Sequence, residues 1–332
     1  MKKIIIYVQI IAIILFISAC GTSVKYKIEH PPEIVMGKIN TLKLNKFEVN
    51  GNLDLVYQQK HEIISDILNF AESRISESTG NKAIKQYVFS NLLNELANNK
   101  FYDITENPTN YEAVIKGDIT YSVDDDYQKN EKKVKEKDKD GNTKTVTKHT
   151  YTLKREADVT VNIRVNDQSG KVIGASKVTK STSAQVTESS LKKALENIEN
   201  WENLVNDALD KTFTPLSHKL IPYYTYEHLS LKTGHSKKIK AANKKAQKGK
   251  WEKALKVWNE KKENGNEKEK IASQYNIAIY YEIHDELDKA ISVFKRLNEL
   301  TNSSDYDDDI ERVKNRKKEE KLLQKEPSPK GK

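Results

Sequence analysis

Cys20 is the only thiol in the 332 residues, so the chain holds neither an internal disulfide framework nor a cysteine zinc site. It stands directly after basic Lys2 and Lys3, the apolar stretch Ile4 to Ile17, and small Ser18 and Ala19. That order reads as a signal peptide over residues 1–19 rather than a spanning helix, which needs about 20 apolar residues. Other reactive side chains lack the spacing that chemistry requires. Glu136, Asp138, Asp140 and Gly141 imitate the start of a calcium loop, but Thr147 stands where a bidentate carboxylate is needed. Asp305, Asp307 and Asp309 alternate as well, with Ile310 at the glycine position and Arg316 at the glutamate position. Their place suits a helix N-terminus, whose dipole favours negative charge. His218, His228 and His235 are the closest histidines, and no pair sits at i, i+4. No phosphate-binding loop, dinucleotide fingerprint, nucleophile elbow or zinc-protease motif occurs. The expectation is no metal, no cofactor and no enzyme activity.

The ending Ile17-Ser18-Ala19-Cys20 resembles the lipobox of bacterial lipoproteins. The resemblance implies cleavage before Cys20, diacylglycerol on its sulfur and an acyl chain such as palmitate on the new amine. A thioether needs a thiol, and small residues before it admit the peptidase. Two or three acyl chains anchor stably where one is marginal. Gly21 follows the Cys, with no Asp to suggest retention at an inner membrane, so the expected place is the outer membrane, facing the periplasm. The net charge is +9, and removing Lys2 and Lys3 lowers it to +7. With 32% charged residues and a mean hydropathy of −0.76, the chain is no multi-spanning membrane protein. A basic protein outside the cytoplasm favours phospholipid headgroups, cell-wall polymers or acidic proteins over nucleic acid.

The elements that follow predict an α+β fold: an antiparallel or mixed sheet with helices on one face, then an all-α helical hairpin array. Residues 20–38, with Pro31 and Pro32, read as a lipidated tether, and 39–232 as an α/β domain. Ile39 to Val49 is a first strand. Two helices follow, one carrying Val56 to Ile75 and one carrying Ile84 to Leu96. Short strands are expected at Tyr102–Thr105 and Ala113–Val123. Residues 129–148 are almost wholly polar and turn at Asp140-Gly141, a hairpin signal. Ala157, Val159, Val161, Ile163 and Val165 alternate with Asp158, Thr160, Asn162 and Arg164, which predicts a sheet covered on one side only. A returning strand over Lys171–Val186 and a helix from Glu188 to Phe213 complete the domain.

Residues 235–324 are helical in pattern, and two segments match at an offset of 36. Ala242, Gly249, Trp251, Ala254 and Trp258 stand against Ala278, Asp285, Leu287, Ala290 and Phe294; Asn276 and Tyr281 also fit. This resembles a tetratricopeptide repeat pair, whose period is about 34 residues. The paired alanines would let helices approach closely, and the aromatics would fill the space beside them. Asp285 departs from the usual turn glycine, and Lys238 and Lys245 occupy usually apolar positions. A capping helix runs to about Gln324, and 325–332 reads as a disordered tail.

The whole layout over residues 31 to about 300 resembles uncharacterised bacterial lipoproteins with an α/β domain of unknown function before tetratricopeptide repeats. Its α/β part is loosely similar to the curli-secretion channel lipoprotein family. The resemblance implies a lipid-anchored scaffold or adaptor that binds an unidentified envelope protein through its repeats, or else a subunit of an outer-membrane secretion complex of the curli-channel type. Oligomeric state stays open.

Overall fold

The computed structural model describes residues 22–55, 77–106, 110–137, 139 and 141–329. The signal peptide, Cys20 and the expected helix from Val56 to Ile75 lie outside the described residues. In chain order the elements are β1 (Thr22–His30), β2 (Thr41–Leu44), β3 (Glu48–Asp54), α1 (Glu77–Ala97), β4 (Asp103–Thr105), β5 (Ala113–Lys137), β6 (Thr143–Asp167), β7 (Val172–Glu188), α2 (Leu191–Asn197), α3 (Trp201–Leu220) and β8 (Tyr223–Leu231). Then come α4 (Lys237–Gln247), α5 (Trp251–Asn264), α6 (Glu267–Ile283), α7 (Leu287–Thr301) and α8 (Asp307–Leu323). The fold is α+β, a mixed-sheet region followed by an array of helices. The chain forms two units: Pro32–Pro222 with the segment from Lys325, and the segment up to Pro31 with Tyr223–Gln324.

The first unit is a mixed sheet in the order β4-β2-β5-β6-β7, with β3 also paired to β5. β2 and β3 run parallel to β5 and share its edge, while β5, β6 and β7 are antiparallel. The expected strand over 39–49 is thus two strands. The bend at 45–47 lets Phe47 swing inward, where it is 1% exposed. Ile115, Ile119, Tyr121 and Val123 of β5 and Val159, Val161, Ile163 and Val165 of β6 pack against α1 and α3. Their alternating neighbours leave the other sheet face polar. Gly51 is required by close approach: a Cβ there would lie 2.0 Å from the Tyr121 ring, which stacks on Trp201.

The expected helix from Glu188 to Phe213 is two helices. Ser190 caps α2 and Asn200 caps α3, so the chain restarts at 198–200. Pro215 lies inside α3 rather than ending it, because Leu216 and Leu220 continue the buried stripe. The short strand expected at Ala113–Val123 extends to Lys137, and its partner β6 starts at Thr143. Residues 129–148 are therefore paired backbone up to a turn at Gly141, whose φ is +83°. β7 pairs with β6 only as far as Tyr151, so the last eight cross-strand pairs stand as a two-stranded arm about 26 Å long.

The tail expected over 325–332 is fastened at Glu326. Glu326 is buried; the Met36 amide donates to its Oε1 at 3.0 Å and the Tyr102 hydroxyl donates to its Oε2. Burial raises the Glu326 carboxyl above its usual range.

The tether expected over 20–38 also gives way, because residues 22–30 are β1. It pairs antiparallel with β8 from Thr22↔Leu231 to His30↔Tyr223. Both strands belong to the helical unit, which moves the domain boundary from 232 to 222.

Candidate functional site

The helical unit carries every repeat position singled out in the sequence. Ala242, Ala254, Trp258, Ala278, Ala290 and Phe294 are all at most 1% exposed and share one core. Gly249 and Asp285, 36 positions apart, both adopt left-handed backbone in the turns of their hairpins, with φ of +72° and +62°. Trp251 is half-buried, edge-on to His284. Tyr281 is half-buried at the rim, with the Lys289 ammonium 5.4 Å from its ring centre. Cys20 lies outside the described residues.

The face that α4, α6 and α8 turn inward is not an open groove. Val24, Tyr26 and Ile28 of β1 and Leu229 and Leu231 of β8 fill it. Period-two alternation puts those five side chains on one side of the ribbon. A buried amide network fixes the ribbon's exit. Asn276 Nδ2 donates to the Lys232 carbonyl at 2.8 Å, and the Lys232 amide donates to Asn276 Oδ1 at 2.8 Å. Asn243 Oδ1 accepts from Trp258 Nε1 and Asn276 Nδ2, both at 3.0 Å. The Lys232 ammonium lies over the Tyr275 and Tyr306 rings, and burial lowers its pKa.

At the ribbon's other end a charged cleft of about 180 Å³ opens against α6 and α8. Glu282 is fully buried and takes a bidentate pair from Arg312, Nε to Oε1 at 3.0 Å and Nη2 to Oε2 at 2.8 Å. Arg316 Nη1 donates to the Glu282 carbonyl at 2.7 Å. The Tyr26 hydroxyl donates to Glu282 Oε1 at 3.2 Å, and burial beside two acids holds its pKa well above the ordinary value. His30 bridges Glu319 and Thr225 and stacks on Tyr223. A buried charge pair of this kind stays bound only when its remaining lone pairs and protons are satisfied. Here they are, so the cluster positions the ribbon against the helices and has little capacity left for a ligand.

The outer ribbon face is different. Tyr224 and Tyr226 are 46% and 59% exposed. The Lys27 and Lys25 ammonium groups sit 3.5 and 4.2 Å from their ring centres. The face thus presents flat amphipathic rings, each with a cation against it. Sequence reasoning missed this face and the cleft. The signal was present, since Val24-Lys25-Tyr26-Lys27-Ile28 alternates with period two.

Among the described residues no group of His, Cys, Asp and Glu could hold a metal ion, and no helix is long and apolar enough to cross a membrane. Residues 240–324 match a family model described as a domain of unknown function, DUF6340. Curated proteins give no match. Among solved structures the chain is similar to a neuraminyllactose-binding hemagglutinin homolog from Helicobacter pylori, at 14% identity and a TM-score of 0.31, over 57% of this chain and 88% of that one. It is also similar to a PDZ domain protein from Parabacteroides distasonis, at 11% identity and a TM-score of 0.20, over 63% of this chain and 40% of that one. At these scores neither likeness bears on the site.

Proposed function

We propose that the chain is a lipid-anchored envelope protein, acylated at Cys20 and held at the outer membrane, that gathers a protein partner on its helical unit, in which a tetratricopeptide-like pair of helical hairpins carries the β1–β8 ribbon. The matched pairs at an offset of 36, down to the left-handed turns at Gly249 and Asp285, support the repeat reading. The observation that carries the proposal is the place of β1. It begins two residues after Cys20 and is built into the helical core. Two residues reach about 7 Å at most, so an anchor at Cys20 keeps the helical unit at the bilayer surface rather than on a long tether. The inward face of the array is filled by the ribbon, which leaves the outer ribbon face with Tyr224 and Tyr226 as the partner surface. The role is binding, not catalysis.

Two measurements test this reading. A clickable fatty acid should label the wild-type chain and not Cys20→Ala; label retained by the variant would refute lipidation there. A photocrosslinking residue at Tyr226 in living cells should capture a discrete partner, and the same residue at Lys295 on α7 should not. Equal capture from both positions would remove the ribbon as the recruiting surface. A symmetric ring of copies after detergent extraction would favour the channel-subunit reading instead.

A further inference from the structure

The polar face of the sheet holds a basin of about 660 Å³, formed by β5, β6 and β7. Small-molecule sites are commonly about 300–1,000 Å³. The strand register explains which groups converge there. Lys116 lies opposite Arg164, and Asp118, Asn162 and Lys177 form the next row. The row after that is Thr120, Thr160 and Thr179, with the last two hydroxyls hydrogen-bonded at 2.8 Å.

Several groups in the basin already have partners. Asp118 accepts from Asn162 Nδ2 at 2.7 Å, and Glu48 pairs with Lys85 at 3.3 Å. Ser176 donates to Glu33 at 2.7 Å. Three cations are left, Lys116, Arg164 and Lys177, and among the described residues none has an acid within ion-pair distance. A buried acceptor is left as well. The β6–β7 ladder shifts register between Val165 and Asn166, and Asn166 is only 9% exposed. Its Nδ2 donates to the Gly170 carbonyl at 2.8 Å, while its Oδ1 is buried with no hydrogen-bond partner among the described residues. A buried acceptor without a donor has lost its water and gained nothing, so a donor that enters the basin is favoured.

We propose that this basin binds an anionic sugar, with its acid group on Arg164 between Lys116 and Lys177 and one of its hydroxyls donating to Asn166 Oδ1. A guanidinium matches the two oxygens of a carboxylate or phosphate, and such charge-assisted bonds are the strong ones. A bare anion cannot donate to Asn166. A neutral sugar leaves the three cations unused. A ligand with both an acid and hydroxyls uses the three cations and the buried acceptor together, and the neighbouring threonine row suits further hydroxyls. The proposal concerns the sheet unit and does not rest on the role of the helical array.

The test is a titration of the full chain, read from the Asn166 side-chain amide signal by nuclear magnetic resonance and from heat release by calorimetry. The probes are glucuronic acid, glucose 6-phosphate, glucose and inorganic phosphate. At least one acidic sugar should bind saturably and shift the Asn166 signal, and the tighter of the two identifies carboxylate or phosphate as the preferred acid. Glucose and inorganic phosphate should bind at least about tenfold more weakly. Arg164→Gln and Lys177→Gln remove exposed side chains and should each weaken the acidic sugar about tenfold, while Lys133→Gln on the distant arm should leave it unchanged. Saturation by neither acidic sugar would overturn the proposal, as would binding that survives Arg164→Gln. Inorganic phosphate binding as tightly as glucose 6-phosphate would reduce the basin to a simple anion site and also overturn it.

Discussion

Replacing Val24 and Ile28 together by Ala tests whether the helical array can stand without its ribbon. Both side chains are nearly fully buried, at 1% and 5% exposure, against the helices. The substitutions remove two carbons from Val24 and three from Ile28. At about 0.8 kcal/mol per buried methylene the transfer loss is about 4 kcal/mol. Unfilled space adds to it, so about 5–7 kcal/mol is expected. The two positions are about 13 Å apart along the strand, far enough for their costs to add. A domain commonly has about 5–15 kcal/mol in total, so the variant sits at the edge of folding. At roughly 3–6 °C per kcal/mol the transition of this unit should fall by about 15–40 °C. Calorimetry would follow the transitions, and hydrogen exchange with mass spectrometry would assign them. Peptides from α4 to α8 should lose protection, while β5 to β7 keep theirs. If only 22–30 and 223–231 open and the helices stay protected, the array is self-sufficient and the ribbon is a removable cover. That result would refute the argument that the ribbon is part of the core.

Arg155→Ala should destabilise the sheet unit by about 3–5 kcal/mol, because it removes the guanidinium that holds the fully buried Asp125 carboxylate at 2.7 and 2.8 Å. The double variant Arg155→Met with Asp125→Leu should recover most of that loss in a urea titration. Ala290→Met should overpack the α6–α7 contact by about 1–3 kcal/mol, and thermal scans should show the sheet unit unmoved. Docking of the chain end should depend on pH through Glu326. Its folded pKa is raised by burial, so the stabilising contribution is complete below the ordinary value of 4.5 and is lost as pH rises through the raised value. Cleavage near residue 326 by a protease active across about pH 4–8 should therefore quicken as pH rises, and Glu326→Gln should abolish that dependence.

What could be read from the residues was local. The alternation in Ala157–Val165 identified both faces of β6, because one strand's own period is enough to show which side is buried. The offset of 36 located the helical hairpins and their turns, since small residues and aromatics recur at fixed spacing. The candidate sites were harder because their parts come from distant segments. The tether reading followed from Pro31 and Pro32, yet Val24, Tyr26 and Ile28 form a strand only because β8 supplies the pairing edge. Glu282, Arg312 and Arg316 look like ordinary solvated helix charges until α6 and α8 are placed side by side. Asn166 carries no signal at all in the sequence; its orphaned oxygen lies at a one-residue slip in the ladder, which no local pattern announces.

The pairing of β1 with β8 also bears on how the chain is made. Partners such as Thr22 and Leu231 are separated by roughly two hundred residues. At about 5–20 residues per second, β1 emerges about 10–40 s before the strand it needs. Through that interval Val24, Tyr26 and Ile28 present an unpaired apolar edge, the kind that invites pairing with the wrong chain. The sheet unit can close in the meantime, since its strands are contiguous between Pro32 and Pro222. The helical unit must then assemble from two segments far apart in the chain, late in folding and at a step open to error.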